Sequence, residues 1–284
     1  SHRRLSTVRK GMKRTGQRRR KRKSKFLSLE SEVSKVKFAI IGYGFVGKAT
    51  EYFLKEKLDT KHDIYIQDPD LGHKINNWAE IDYAFICVPT NLKNGKLDTS
   101  IIDNILSELH IGVQPVIRST IGPDQCMNYA QRGIIIMPEF LREKHWKEDV
   151  DDPNIDLLIG CYHCDKFVDL MSCGNKFVKL VTPVQASAIK MLRNAALAVK
   201  VGLANDFKNI CDVLDTDYDA IQEFLEADPN LGGTHWAVPG HDGQYGFGGT
   251  CLPKDLTHAS SLCYNTNNIM NTALEANKRR RDNE

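Results

Sequence analysis

The sequence contains no run of about 18 apolar residues, the length a helix needs to cross a bilayer, so no membrane span is expected. It has no internal repeat of the kind that builds solenoids or propellers. Residues 1–25 contain no Asp or Glu against 13 Lys or Arg, and no apolar segment follows them as it would in a secretory signal peptide. Beyond that stretch, 26 Lys or Arg face 36 Asp or Glu, so the overall charge of +3 conceals an acidic body of net charge −10. The block Arg18-Arg19-Arg20-Lys21-Arg22-Lys23 repels itself and has nothing apolar to bury, which predicts a basic disordered arm over residues 1–34. Residues 1–25 offer cations to a polyanion but lack the interleaved aromatics of specific nucleic-acid readout. Beside Cys161-x-x-Cys164, His163 and Cys173 there is no second C-x-x-C or paired His, so no metal site is expected. The eight scattered cysteines read instead as reduced thiols of a cytoplasmic protein.

What is present is a chain of 284 residues with 41% hydrophobic and 26% charged content, enough for two ordinary domains. Residues 36–42, 63–67, 83–88, 115–118 and 133–137 have strand character. Residues 46–57, 100–109 and 124–131 between them have helical spacing. This alternation predicts an α/β fold with a Rossmann-like, doubly wound parallel sheet over residues 35–181, followed by an α-helical domain over 182–284.

The first strand runs into Gly42-Tyr43-Gly44-Phe45-Val46-Gly47, a G-x-G-x-x-G turn that opens a helix. Here the first glycine permits the turn, the second admits a pyrophosphate to the backbone and the third lets helix and strand close together. The following strand ends at Asp68, placed to hold ribose hydroxyls, which predicts NAD rather than NADP. Asp68-Pro69-Asp70 also has the composition of a plain turn. Three further strand ends are polar: Cys87-Val88-Pro89-Thr90, Arg118-Ser119-Thr120 and Pro138-Glu139-Phe140-Leu141-Arg142-Glu143. Ligands of open α/β sheets bind at that edge.

Thr182-Pro183-Val184-Gln185 carries a cap, a first-turn proline and a capping-box glutamine, so a long helix is predicted from residue 186 to about 211. Ile189, Leu192, Ala196, Val199, Leu203, Phe207 and Ile210 recur at helical spacing along it, a stripe wider than one small domain needs, which predicts a homodimer. Lys190 and Asn194, four residues apart, share one face. A lysine at such a position is more often a solvated surface residue. Further on, Tyr245-Gly246-Phe247-Gly248-Gly249-Thr250-Cys251-Leu252-Pro253-Lys254-Asp255 sets a thiol in a glycine-rich loop beside a cation and an acid.

With these motifs in order, the chain resembles the UDP-glucose/GDP-mannose dehydrogenase family over about residues 35–284. The resemblance implies oxidation of the C6 alcohol of a nucleotide sugar, most readily UDP-glucose, to the uronate in polysaccharide biosynthesis. Two NAD molecules are used in turn, with a thiohemiacetal and then a thioester on Cys251 between the two hydride transfers. By resemblance, Lys190 and Asn194 hold the oxyanion. Asp255, Thr120 and Glu139 organise water and protons, and Glu143 serves the thioester stage. Lys190 and Lys254 are the cations beside the sulfur. Gly42, Gly44, Phe45, Val46, Gly47, Asp68, Pro89, Thr90, Ser119 and Thr120 correspond to the cofactor site. Phe140, Leu141, Lys190, Asn194, Tyr245, Phe247 and Gly248 correspond to the substrate site.

The chain departs from the family pattern in three places. The connection from Asp68 to Tyr83 is short, the sequence stops near Ala276-Asn277-Lys278-Arg279 without the usual C-terminal nucleotide-binding domain, and Asn230 stands where an arginine is common. Rival readings are a catalytically silent or truncated binding homologue, a GDP-mannose or UDP-N-acetylmannosamine dehydrogenase, and a two-electron 3-hydroxyacid dehydrogenase, which would not need Cys251.

Overall fold

Successive side chains of the central strands go to opposite sides of a sheet, and both sides are apolar. In the computed structural model, Phe38 and Ile40 enter one core while Ala39 and Ile41 enter the other. The structure describes residues 35–58, 61–154, 157–172, 177–263 and 267–282, so the predicted basic arm and Cys173 lie outside the described residues. Val36–Glu284 cluster as one compact unit.

The strands are β1 (Lys37–Ile41), β2 (Asp63–Gln67), β3 (Tyr83–Ile86), β4 (Leu92–Lys93), β5 (Lys96–Leu97), β6 (Gln114–Ile117), β7 (Ile135–Ile136), β8 (Leu157–Gly160) and β9 (Val178–Val181). The helices are α1 (Phe45–Glu56), α2 (Ser100–Glu108), α3 (Pro123–Gln131), α4 (Trp146–Asp151), α5 (Asp165–Ser172), α6 (Pro183–Val213), α7 (Tyr218–Ala227), α8 (Leu252–Ser261) and α9 (Ile269–Asp282). The main sheet has the order β2-β1-β3-β6-β7-β8-β9, and β4 and β5 form a small hairpin. All pairs of the main sheet are parallel except β7 with β8. Ala49, Phe53 and Leu54 of α1 and Phe167 and Met171 of α5 cover one side. Ile102 and Leu106 of α2 and Cys126 and Tyr129 of α3 cover the other. Helices on both sides make this the doubly wound architecture that the alternation predicts.

The short stretch between Asp68 and Tyr83 holds two 3₁₀ turns and a single bridge, Asp68 to His73, which leaves β2 at the margin of the sheet. Strands β8 and β9, which the sequence pattern does not announce, extend the opposite margin. Gly160 at the end of β8 has no room for a side chain: a Cβ there would lie 2.6 Å from that of Ala186. The first turn of α6 therefore packs directly on the sheet. The reduced-thiol expectation does not hold for Cys161 and Cys164, whose sulfurs the C-x-x-C turn brings within bonding distance; among the described residues, five other cysteines are free.

Helix α6 begins as its cap requires. The Thr182 hydroxyl accepts from the Gln185 N–H at 3.3 Å, while the Gln185 side chain accepts from the Thr182 N–H at 3.0 Å. Its buried side is lined by small and polar residues, among them Ala186, Lys190, Asn194, Ala198 and Asn205. The large residues of the predicted stripe, Ile189, Leu192, Leu203 and Ile210, are exposed. Small residues let the neighbouring helices approach, so Met191, Ala195 and Ala198 of α6 share a core with Leu256 and Ala259 of α8. Among the described residues, no helix is long and apolar enough to cross a membrane.

Candidate active site

The glycine turn after β1 has the space that its three positions require. A Cβ on Gly42, whose φ is +85°, would lie 2.7 Å from the Cys87 carbonyl oxygen, and one on Gly47 would lie 2.2 Å from the Gly42 oxygen. At Gly44 nothing lies within 4 Å of that position. Two of the glycines are thus consumed by packing, and the third holds space open at the N-terminus of α1, where Phe45 and Val46 begin the helix. Asp68 joins this turn: one carboxylate oxygen accepts from the Tyr43 N–H at 2.6 Å, and the other accepts from the Asp70 and Leu71 N–H groups. Asp68 therefore caps the turn, as its composition predicts, and also sits against the glycine loop.

The polar ends of β3 and β6 are knit together. The Thr90 hydroxyl donates to the Thr120 carbonyl at 2.7 Å, and the Ser119 hydroxyl donates to the Val88 carbonyl at 2.7 Å. Thr90 and Ser119 are buried, Thr120 is half-buried and Pro89 is exposed beside them.

Beyond β7 the chain carries Glu139, and α6 brings Lys190 against it, with Nζ to Oε1 at 2.8 Å and both side chains about 95% removed from solvent. Burial alone would raise the Glu139 carboxyl. Lys190, the Leu141 N–H at 2.6 Å and the positive charge of Arg118 more than reverse this and hold it below the usual carboxylate range. One turn along α6, the Asn194 amide donates to Asp255 Oδ2 at 2.6 Å, and Lys254 reaches Asp255 Oδ1 at 2.7 Å. Asp255 is completely buried, and its own N–H donates to the Cys251 carbonyl at 3.0 Å. Cys251 is the N-cap residue of α8 and is half-exposed, with Sγ 3.7 Å from the Thr250 hydroxyl. The path Glu139, Lys190, Asn194, Asp255, Cys251 therefore runs through two ion-pair or hydrogen-bond contacts and two single helical turns. Both cations that the sequence sets near the sulfur, Lys190 and Lys254, are engaged with carboxylates.

Phe140 and Leu141 are half-buried next to this path, and the Phe140 ring centroid lies 5.7 Å from Lys190 Nζ. Glu143 is separate: it opens an exposed 3₁₀ turn, Glu143–His145, away from the buried pairs. Phe247 is 2% exposed and packs with Met191 and Leu256, so its ring supports the glycine-rich loop from beneath. Tyr245 is half-buried beside Trp236 and Val238.

Sequence reasoning named no role for three groups that shape this region. Arg118 is buried with no partner for its Nε, and burial pulls its guanidinium below the usual value against the opposing effect of Cys87 and Glu139. His258 is fully buried, takes the Leu97 N–H on Nδ1 at 2.9 Å and meets Asp124 through Nε2 at 3.0 Å, fixing α8 to the hairpin and to α3. Asn277 of α9 grips the glycine-rich loop by both polar edges of Phe247, accepting from its N–H at 2.7 Å and donating to its carbonyl at 2.9 Å. Only the polar strand end at Arg118 carried a sequence signal. Asn277→Ala is expected to strand two buried backbone groups and cost about 2 kcal/mol; Asn277→Asp keeps the acceptor and is expected to cost about half as much, both read by urea unfolding.

Comparison with known proteins bears on this arrangement. Residues 184–279 match the model of the UDP-glucose/GDP-mannose dehydrogenase family, central domain. The UDP-glucose 6-dehydrogenase of Rickettsia bellii is 27% identical over 69% of this chain and 49% of its own length; that of Campylobacter jejuni is 26% identical over 80% and 61%. The chain thus spans about half the length of the curated relatives it matches. Among solved structures, a UDP-glucose dehydrogenase from Pyrobaculum islandicum superposes with a TM-score of 0.71 at 20% identity, covering 88% of this chain and 68% of that one. A GDP-mannose dehydrogenase from Pseudomonas aeruginosa gives 0.60 at 22% identity, covering 86% and 68%. Residues 184–279 thus match the central domain of the UDP-glucose/GDP-mannose dehydrogenase family, and the chain as a whole is similar in sequence and fold to dehydrogenases of nucleotide sugars.

Proposed function

We propose that the protein is an NAD-dependent sugar-nucleotide 6-dehydrogenase that oxidises a hexose C6 alcohol, UDP-glucose being the first candidate, to the carboxylate through Cys251. The observation that carries this reading is the buried pair of contacts, Glu139 with Lys190 and Asn194 with Asp255, that leads along α6 to a half-exposed thiol. The open space at Gly44, the free N–H groups of α1 and Asp68 suit a dinucleotide. When bound, NAD supplies the hydride acceptor.

The residues then divide the work by their chemistry. Loss of the first hydride and a proton from C6 leaves an aldehyde, and the Cys251 sulfur adds to its carbon to give a thiohemiacetal. Lys190 and Asn194 carry the donors that suit the oxyanion formed in that addition, and their partners Glu139 and Asp255 fix their direction in advance. Loss of a second hydride from that carbon and of the hydroxyl proton gives a thioester, and water hydrolyses it to the acid and the free thiol. Glu139, Asp255, Thr120 and the exposed Glu143 are the groups proposed to move protons in these steps. The exposed apolar side of α6 supports a homodimer, and the fold is consistent with a cytoplasmic enzyme.

The test uses Cys251→Ser with UDP-glucose, GDP-mannose and UDP-N-acetylmannosamine, counting NADH formed per sugar. The wild type is expected to yield two NADH per sugar on one of them, and the variant no acid product. Full acid production by Cys251→Ser would reject the covalent route. A wild type that stops at one NADH per turnover would favour the two-electron alternative.

A further inference from the structure

Arg193 and Lys200 are seven residues apart on α6, so they share one side of the helix about 10 Å apart, with Ala196 between them. Lys200 donates to the carbonyls of Leu231 and Gly232, both at 2.9 Å, and lies 4.5 Å above the Trp236 ring. Trp236 in turn donates its indole N–H to the Gly232 carbonyl at 3.0 Å. These contacts fold the segment from 231 to 236 over the cationic side of α6, and His235 comes with it, at a φ of 69°. Arg193 lies 5.4 Å from the centroid of the Phe140 ring, the same ring that Lys190 approaches. No carboxylate pairs with Arg193 among the described residues.

The cluster is compensated only from a distance: Glu139 and Asp149 act on Arg193 and Glu226 acts on Lys200, but Glu139 and Asp149 are themselves paired with Lys190 and Arg142. Arg142 is engaged with Asp149, but His235 still feels a one-sided field. Burial first, and then the charges of Lys200, Arg193, His241 and Arg142, push it down to about 4. An assembly of like charges at a partly buried place raises the energy of the empty protein, and an anion relieves it.

We propose that Arg193, Lys200 and His235 form an anion site that takes the diphosphate group of the nucleotide-sugar substrate. The site rests on the dehydrogenase reading for the identity of its ligand and on the cluster itself for the charge of that ligand. Phe140 bridges the two regions: Lys190 lies at one approach to its ring and Arg193 at another, three residues further along α6, so a hexose between them can present C6 to Lys190 and its phosphates to Arg193. The planar guanidinium is suited to paired phosphate oxygens, and His235 supplies a donor without a fixed charge.

A diphosphate could also come from the cofactor, and binding measurements on the full chain separate the two sources. Calorimetric titrations with inorganic pyrophosphate, UDP and NAD are made on the wild type, Arg193→Gln and Arg193→Lys. Arg193 is exposed, so both variants are expected to fold. The expected result is about tenfold weaker pyrophosphate and UDP binding for Arg193→Gln, partial recovery for Arg193→Lys and unchanged NAD binding. With nucleotide sugar, KM rises about tenfold while kcat stays within about twofold. Wild-type affinity for pyrophosphate and UDP in Arg193→Gln overturns the site, as does absence of pyrophosphate binding to the wild type. A loss confined to NAD also overturns it. If Arg193→Gln weakens UDP binding but the wild type forms no NADH, the anion site stands and the dehydrogenase reading falls; two NADH per sugar with unchanged UDP binding gives the reverse.

Discussion

Lys190→Met is expected to destabilise the protein by about 3–5 kcal/mol, because it leaves the Glu139 carboxylate buried without its cation. The side chains are 5% and 6% exposed, so water cannot replace the lost partner. Removing both charges tests the cause: Lys190→Met with Glu139→Gln is expected to recover most of the loss in urea unfolding, whereas a mere packing defect at Lys190 would persist in the double variant. The pH dependence has a definite sign. In the wild type, burial alone would raise the Glu139 carboxyl but Lys190, Leu141 and Arg118 hold it below its unfolded value of about 4.3. Its stabilising contribution is therefore complete above that value and disappears as pH falls through the lower, folded value. Without Lys190 the carboxyl moves above its unfolded value, and the deficit of the single variant is largest at neutral pH and narrows in acid. A deficit that stays constant between pH 7 and pH 4 would contradict this account. Activity with any nucleotide sugar is expected to fall by about 10³-fold in Lys190→Met, in line with the loss of a donor to a developing oxyanion.

The second large effect separates packing from binding within the glycine turn. Gly47→Val places a Cβ 2.2 Å from the Gly42 carbonyl oxygen, a backbone atom that cannot swing aside. Helix α1 must then leave β1, at an expected cost of about 3 kcal/mol or more. Gly44→Val meets nothing within 4 Å, and Gly44 has an ordinary φ of −68°, so the fold is expected to keep its stability to within about 1 kcal/mol. The new side chain nonetheless fills the space proposed for the pyrophosphate, and NAD affinity is expected to fall by at least about 100-fold. Thermal unfolding and NAD titration of the two variants give the comparison. Undiminished NAD binding by Gly44→Val would remove the dinucleotide from this turn.

Much of this arrangement was legible in the residues because it follows from local rules. The turn at Gly42, the helix cap at Thr182 and Gln185, and the strand at 63–67 each depend on neighbours in sequence, and each lies where the pattern puts it. The spacing on α6 does not say which of its apolar residues the chain itself covers. Helical spacing identifies an apolar side but not which side a sheet and two later helices will cover, and here close approach selected Ala186, Ala195 and Ala198 for the interior while Leu192 and Ile210 stayed outside. Strands β8 and β9 are only four residues long, and the edge strand β9, Val178–Val181, with two exposed positions, carries little periodicity. The pairing of Lys190 with Glu139 spans 51 residues, and no spacing rule reaches so far. Asn277 and His258 were silent for the same cause. Their partners, Phe247, Leu97 and Asp124, are brought to them only by the packing of α8 and α9.

The abbreviated passage after Asp68 has a consequence for solubility. Among the described residues the sheet ends at β2, and the rim of a sheet invites a foreign strand to dock and seed aggregates. The chain guards against this within a few residues: the Gln67 side chain accepts from the Ile75 N–H at 2.8 Å, and Asp68 and His73 exchange backbone hydrogen bonds at 2.9 Å each, so the segment curls back over the rim's end.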